Sequence, residues 1–173
     1  MIKNINIKSE DALQELTQFK DKQYVNYDIR LRNVCLIKIN ELLRSNLFYK
    51  NDLFVNSDTL WSLMQEGGED ERHHHHGLTP NDILEALNNI QDPYCIFKTK
   101  HDRISIILSC LSHYGEPLMM IIEIGSGLIN DTDANVNKLV TMHPKSDVER
   151  KVEEIDKKRI LYLNRLALPS AKK

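Results

Sequence analysis

The chain has 173 residues, 41% of them hydrophobic and 28% charged, the balance of an ordinary globular protein large enough for one solid core. A formal net charge of −2 excludes the global basic field of a nonspecific nucleic-acid binder, so any polyanion site has to be a local patch. The longest apolar runs, such as "ISIILSCLS" and "PLMMIIEIG", fall well short of the roughly twenty residues that span a bilayer.

The start "MIKNINIKSEDAL" mixes acids with its lysines and has no apolar run, so no signal peptide is expected. "SEDALQELTQFKDK" then spaces Ala12, Leu13, Leu16 and Phe19 as a short amphipathic helix with Ser9 as its N-cap. "YDIRLRNVCLIKINELLRSN" places Ile29, Val34, Leu36, Ile37, Ile39, Leu42 and Leu43 largely on one side of a long helix that ends near Ser45 and Asn46. The Asn51–Asp52 pair of "LFYKNDLFV" predicts a tight turn between two short strands. "SDTLWSLMQE" repeats the helix signal until "GGEDER", read as an exposed loop, stops it.

After four consecutive histidines, His73 to His76, "LTPNDILEALNNI" carries a well-marked helix start, with Thr79 as N-cap, Pro80 at the first helical position and Asp82 in the first turn. Four strand-like segments follow, "YCIFKTK", "ISIILSCLS", "LMMIIEI" and "NKLVTMH", the first three joined by connections too short for parallel crossovers. "PKSDVERKVEEIDKKR" predicts a charged helix capped by Ser146 and Asp147, and "RILYLNR" a closing strand. The expected fold is α+β: an N-terminal helical extension over residues 1–72, then residues 73–173 as a four- to five-stranded antiparallel sheet with one helix inserted before the last strand.

Cys35, Cys95 and Cys110 lie far apart in apolar surroundings without CxxC spacing, which reads as reduced, buried thiols. The histidine run admits three readings. Contiguous histidines on an extended strand point to opposite faces and rarely close around one ion, and no HExxH or Cys/His pairing accompanies them, so no metal and no cofactor is expected. As acid–base groups they exchange protons near neutral pH, and one of them on a loop opening a helix suits a general base. The plain alternative is four solvated loop residues. A second polar set lies near the other end: Thr141, His143 and Lys145 share one face by their period of two, Tyr162 and Asn164 share a face of the last strand, and Lys98 and Lys100 share a face of the first. Hydroxyls and cations so placed suit a phosphate or a developing phosphorane; the plain alternative is a sheet with one wet face.

The order "HGLTPNDILEALNNIQDPYCIFKTK", two apolar strands, "VNKLVTMHPKSD", a charged helix and "RILYLNR" resembles the C-terminal toxin-like domain of phage MuF-type proteins, placed in the barnase, EndoU, colicin and RelE-like (BECR) nuclease superfamily. The resemblance covers about residues 76 to 165. It maps the family's histidine onto His76, its hydroxyl residue onto Thr141, its closing tyrosine onto Tyr162 and its first-strand lysine onto Lys98. The chain departs from the pattern at His143, where family members tend to have an aromatic residue, and that leaves the proton-transfer partner open.

The resemblance implies a metal-independent endoribonuclease toxin, encoded by a phage or mobile element and acting in a bacterial cytoplasm. It would cleave RNA, with tRNA and mRNA the candidate substrates, by 2′-OH attack to a 2′,3′-cyclic phosphate. His76 takes acid–base duty, Thr141 with Lys98 or Lys145 holds the phosphate, and Tyr162 either moves a proton or contacts the substrate. Lys100, His143, Lys145, Asn164 and His75 are the expected substrate contacts. RNA and a cognate immunity protein are the expected partners, and no membrane is. The competing readings are a catalytically inactive module that binds RNA or a host or phage protein, and a histidine-rich metal protein.

Overall fold

A computed structural model describes residues 2–48, 50–66, 68–69, 74–99 and 102–167. Alternation with a period of two, rather than helical spacing, governs the start of the chain. In β1 (Lys3–Asn6) Ile5 is buried between exposed Asn4 and Asn6. After α1 (Ala12–Thr17) and a 3-10 turn, β2 (Asp28–Arg32) buries Ile29 and Leu31 completely. Asn33, with φ of 67°, then turns the backbone through the left-handed region, and only beyond it does α2 (Leu36–Leu43) form. The long helix expected from Tyr27 to Asn46 is therefore a strand, a left-handed turn and a short helix. The expected tight turn at Asn51–Asp52 is also replaced: Asn51 accepts the Ile37 N–H at the start of α2, and a single strand, β3 (Leu53–Asn56), follows.

The remaining elements are α3 (Ser57–Met64), the two-residue strands β4 (Gly68–Glu69) and β5 (His74–His75), α4 (Pro80–Asn88), β6 (Pro93–Lys98), β7 (Arg103–Leu111), β8 (Pro117–Leu128), β9 (Asp131–Pro144), α5 (Val148–Glu154) and β10 (Ile160–Leu163). One sheet takes eight of the strands in the order β1-β2-β3-β9-β8-β7-β6-β10. It is mixed: β1 pairs with β2 and β3 with β9 in parallel, and the other neighbours are antiparallel. These pairings overturn the expected four- to five-stranded antiparallel sheet behind N-terminal helices. The fold is α+β, but three N-terminal strands, one of them reached through a β1–α1–β2 crossover, extend the sheet. Asp28 of β2, 2% exposed, ion-pairs with Lys138 of β9 at 3.3 Å and so fastens this added part to the rest.

Both faces of the sheet are covered where β6, β7 and β8 run. Ile96, Ile106, Leu108, Leu118 and Met120 face the main core beneath α1 to α4, which contribute Leu16, Ile39, Leu60, Ile83 and others. The intervening residues Cys95, Phe97, Ile107 and Met119 face a second cluster closed by Val148 and Val152 of α5. The near-continuous apolar runs of these strands follow from that double burial.

Candidate functional site

His76 stands where three elements meet. β3 pairs with β9 only at Asn137 and Lys138, so among the described residues the outer edge of β9 has no strand partner beyond that point. The chain returning from α3 passes there. Gly77 N–H donates to Gln65 O at 2.6 Å and Leu78 N–H to Leu63 O at 2.8 Å, and the Tyr114 hydroxyl donates to Gly77 O at 3.3 Å. Gly77 has φ of 63°, and a Cβ there would lie 2.7 Å from the Tyr114 hydroxyl. Glycine is thus required by both conformation and space. Leu78 is buried in the main core and Thr79 caps α4 in a reciprocal box with Asp82, so the backbone on the C-terminal side of His76 is fixed.

So held, the His76 imidazole meets β9. Its Nε2 lies 3.2 Å from Thr141 Oγ1, and its ring centroid is 5.2 Å from that of His143. Thr141 sits at a bulge: Ile121 opposes Thr141 while the next residue, Ile122, opposes Leu139, so one extra residue is inserted beside the histidine. Bulges of this kind re-aim side chains. His143 is opposite Met119, on the face of the second cluster. Burial, reinforced by electrostatic repulsion from His76 and Lys145, pushes its pKa down to about 4, so the ring is neutral at pH 7. Its Nδ1 is buried without a hydrogen-bond partner among the described residues. The arrangement gathers two imidazoles and a hydroxyl, with a lysine near enough to repel a proton on one ring. Among the described residues no three His, Cys, Asp or Glu side chains converge.

The other candidates lie elsewhere. Tyr162 packs against the main core, on the opposite face from Thr141, and four strand spacings, about 19 Å, separate their strands. Lys98, opposite Ile104 of the main core, is exposed on the rim of a cavity of about 840 Å³ that is also lined by Leu43, Arg103, Ile124 and Leu161. Asn164 accepts the Leu166 N–H and caps the last turn, while its own N–H donates to Tyr94 O. His75 pairs with Gly68 through the backbone of β4 and β5. Lys100 lies outside the described residues, as does His73. All three cysteines are free; Cys95 is buried, and burial pushes its thiol up to about 11 and that of half-buried Cys110 to about 12.

Three residues to which the sequence assigns no chemical role, Asp82, His113 and Tyr114, border the start of α4. Asp82, only 4% exposed, accepts hydrogen bonds from Thr79 N–H at 2.8 Å and from the Thr79 hydroxyl at 2.8 Å. It also accepts from His113 N–H at 2.8 Å, and its Oδ2 lies 2.6 Å from His113 Nδ1. Burial alone would raise the carboxyl; the hydrogen bonds from Thr79 and His113 outweigh it and hold Asp82 below the ordinary carboxylate value. The Tyr114 ring lies against His113, centroids 3.8 Å apart. Asp82 was legible as a first-turn acid; its link to a turn 31 residues later was not.

Residues 68–168 match the family described as the phage MuF C-terminal domain. Comparison with curated proteins and with solved structures finds no match.

Proposed function

We propose that this chain, which belongs to the phage MuF C-terminal domain family, is a metal-independent endoribonuclease of the barnase, EndoU, colicin and RelE-like superfamily, acting as a toxin in a bacterial cytoplasm. The observation that carries the reading is the 3.2 Å approach of His76 Nε2 to Thr141 Oγ1 with the neutral His143 ring beside it. His76 takes the proton of a ribose 2′-OH, the 2′ oxygen bonds to phosphorus, and the bond to the 5′ oxygen breaks as an acid protonates it. The products are a 2′,3′-cyclic phosphate and a 5′-OH. Thr141 and Lys145 serve as donors to the non-bridging oxygens, where charge grows in the transition state. The substrate is RNA because the nucleophile is the 2′-OH. A cognate immunity protein is the partner such a toxin requires in its producing cell.

Incubating purified protein with total RNA in EDTA and sequencing the fragment ends tests this. Ends bearing 2′,3′-cyclic phosphate and 5′-OH are expected, with at least about a hundredfold loss in His76→Ala. No cleavage, or cleavage undiminished by the substitution, refutes the assignment. The second reading, an inactive module that grips RNA or a protein, is favoured by the separation of Lys98 and Tyr162 from His76 and by the net charge of −2. Growth of bacteria expressing the chain separates the two: arrest relieved by His76→Ala supports the enzyme, and harmless expression with retained RNA capture supports the module.

A further inference from the structure

Resting on the ribonuclease reading, we infer that β3 and α3, which precede the family-matched residues 68–168, are the template that sets His76 against Thr141, with Asn137 as the positioning residue. The two elements are continuous, β3 ending at Asn56 and α3 starting at Ser57. The strand fastens the segment that carries Thr141, and the end of the helix fastens the segment that carries His76. One rigid piece therefore lies behind both partners of the 3.2 Å contact.

On the His76 side, the last turn of α3 leaves carbonyls without an intrahelical donor. Leu63 O accepts the Leu78 N–H, and Gln65 O, just past the helix, accepts the Gly77 N–H. The backbone next to His76 thus closes the end of α3. On the Thr141 side, β3 pairs with β9 at Asn137 and Lys138. The Asn137 side chain, 4% exposed, donates through Nδ2 to Lys50 O at 2.8 Å and to Asp52 O at 3.3 Å, the carbonyls that lead into β3. An aliphatic side chain could fill the same space. A carboxamide also fixes β9 lengthwise, because its one amino group has to meet two carbonyls that would otherwise lose their donor.

That lengthwise hold decides which way Thr141 points. Leu139 is buried in the main core, and in an unbroken strand the residue two positions on shares its face. Thr141 escapes the core because Ile122 opposes Leu139 while Ile121 opposes Thr141, leaving Val140 unopposed between them. A bulge that formed beyond Thr141 would turn its hydroxyl into the core and away from His76. Pairing with β8 does not place the bulge by itself, since that register shifts at Ile121/Ile122, at Glu123/Ser126 and again at Ser126/Leu128. Among the described residues β9 has no other strand on its outer side, so the clamp at Asn137, just before the bulge, supplies the missing reference.

The test is Asn137→Ala, read by RNA cleavage and by the cross-strand NOEs of Ile121 with Thr141, which report where the bulge lies. Ile29→Val trims the buried side of β2, two strands from β9, and controls for lost stability alone. In Asn137→Ala kcat is expected to fall about 10²-fold with KM within a few-fold of the parent, and the Ile121–Thr141 NOEs to give way to Ile121–Val140; Ile29→Val keeps both. An unchanged NOE pattern, a kcat within a few-fold of the parent, or an equal fall in Ile29→Val overturns the role of Asn137 and leaves the ribonuclease standing. A parent protein that cleaves no RNA overturns the ribonuclease reading, and the NOEs then decide alone whether Asn137 fixes the register. Should Asn137→Ala lose its cooperative melting transition, the same readings are made on Asn137→Ser, whose shorter side chain cannot reach both carbonyls.

Discussion

The end of the sheet where α4 begins and the edge closed by β10 draw on similar side chains, and they use them differently. At the first, Thr141 sits at a bulge, His76 is pinned through its neighbours to α3 and Tyr114, and His143 is neutral in a largely buried position. At the second, Lys98 stands exposed on a cavity rim, Asn164 caps a turn, and Tyr162 packs its ring against the main core. Acid–base chemistry depends on groups held in fixed relation to one another, and only the first region supplies that from more than one element. The order of motifs along a chain therefore does not say which of them converge: β9 and β10 both carry polar residues, yet the sheet order puts three strands between them.

The largest effect expected of this contrast is on activity. With cleavage of an RNA substrate as the measure, Thr141→Val is expected to cost about 10²-fold, by removing both a donor and the hydroxyl beside His76. Tyr162→Phe and Lys98→Ala are expected to stay within a few-fold of the parent. A loss at Tyr162 as deep as that at Thr141 would mean that the substrate reaches both faces of the sheet, and the comparison would fail.

A smaller effect, in stability, distinguishes the regions by pH. His143 has an ordinary value of 6.5 and a folded value of about 4. Above 6.5 both the folded and the unfolded protein hold it neutral, and the stability it permits is fully present. As pH falls from 6.5 the unfolded chain takes the proton first, and stability is lost until the folded value is passed, by on the order of 3 kcal/mol in total. Urea titrations at pH 7 and pH 4.5 measure this, and His143→Gln is expected to flatten the difference. The lowered value of Asp82 keeps that carboxylate out of the same window.

Much of the His76 region was readable because its signals are local. Thr79, Pro80 and Asp82 announce a helix start within four residues, and the structure adds the reciprocal cap that the pattern predicts. The helix inserted before β10, and the strands from Pro93 to Pro144, were likewise visible as apolar runs between turns. What could not be read depended on partners distant in sequence. Ile29 fits a helical stripe with Leu36 as well as a strand with Leu31, and pairing with β1 and β3 decides for the strand. The bulge at Thr141 and the bond from His113 to Asp82 leave no periodic trace, since each is fixed by a neighbour that only the fold provides.

Gly77 gives a third, smaller test. Alanine there has to hold φ of 63°, at a cost of about 1 kcal/mol, and its Cβ meets the Tyr114 hydroxyl. That hydroxyl ends an exposed side chain and can swing aside, but its bond to Gly77 O is then lost. Gly77→Ala is expected to cost about 1 to 2 kcal/mol by urea denaturation, and less of it should appear in a Tyr114→Phe background, where the obstacle is gone. Equal costs in both backgrounds would show that Tyr114 does not constrain the segment carrying His76.

The smallest effect belongs to the cavity edge. Arg103 Nε donates to Glu123 at 2.8 Å, with the arginine side chain 42% and the glutamate 30% exposed. Burial would raise the glutamate, yet the bonds from Arg103 and Ser126 hold it below its ordinary value. Partly exposed pairs of this kind typically couple by about 0.2 to 1 kcal/mol, because water screens the attraction and two long side chains lose freedom. A double-mutant cycle of Arg103→Ala and Glu123→Ala, followed by denaturation in low and high salt, should return a coupling in that range that salt erodes. A salt-resistant coupling of several kcal/mol would mean that this edge is as firmly organised as the end bearing His76, and the contrast between the two regions would then rest on chemistry alone.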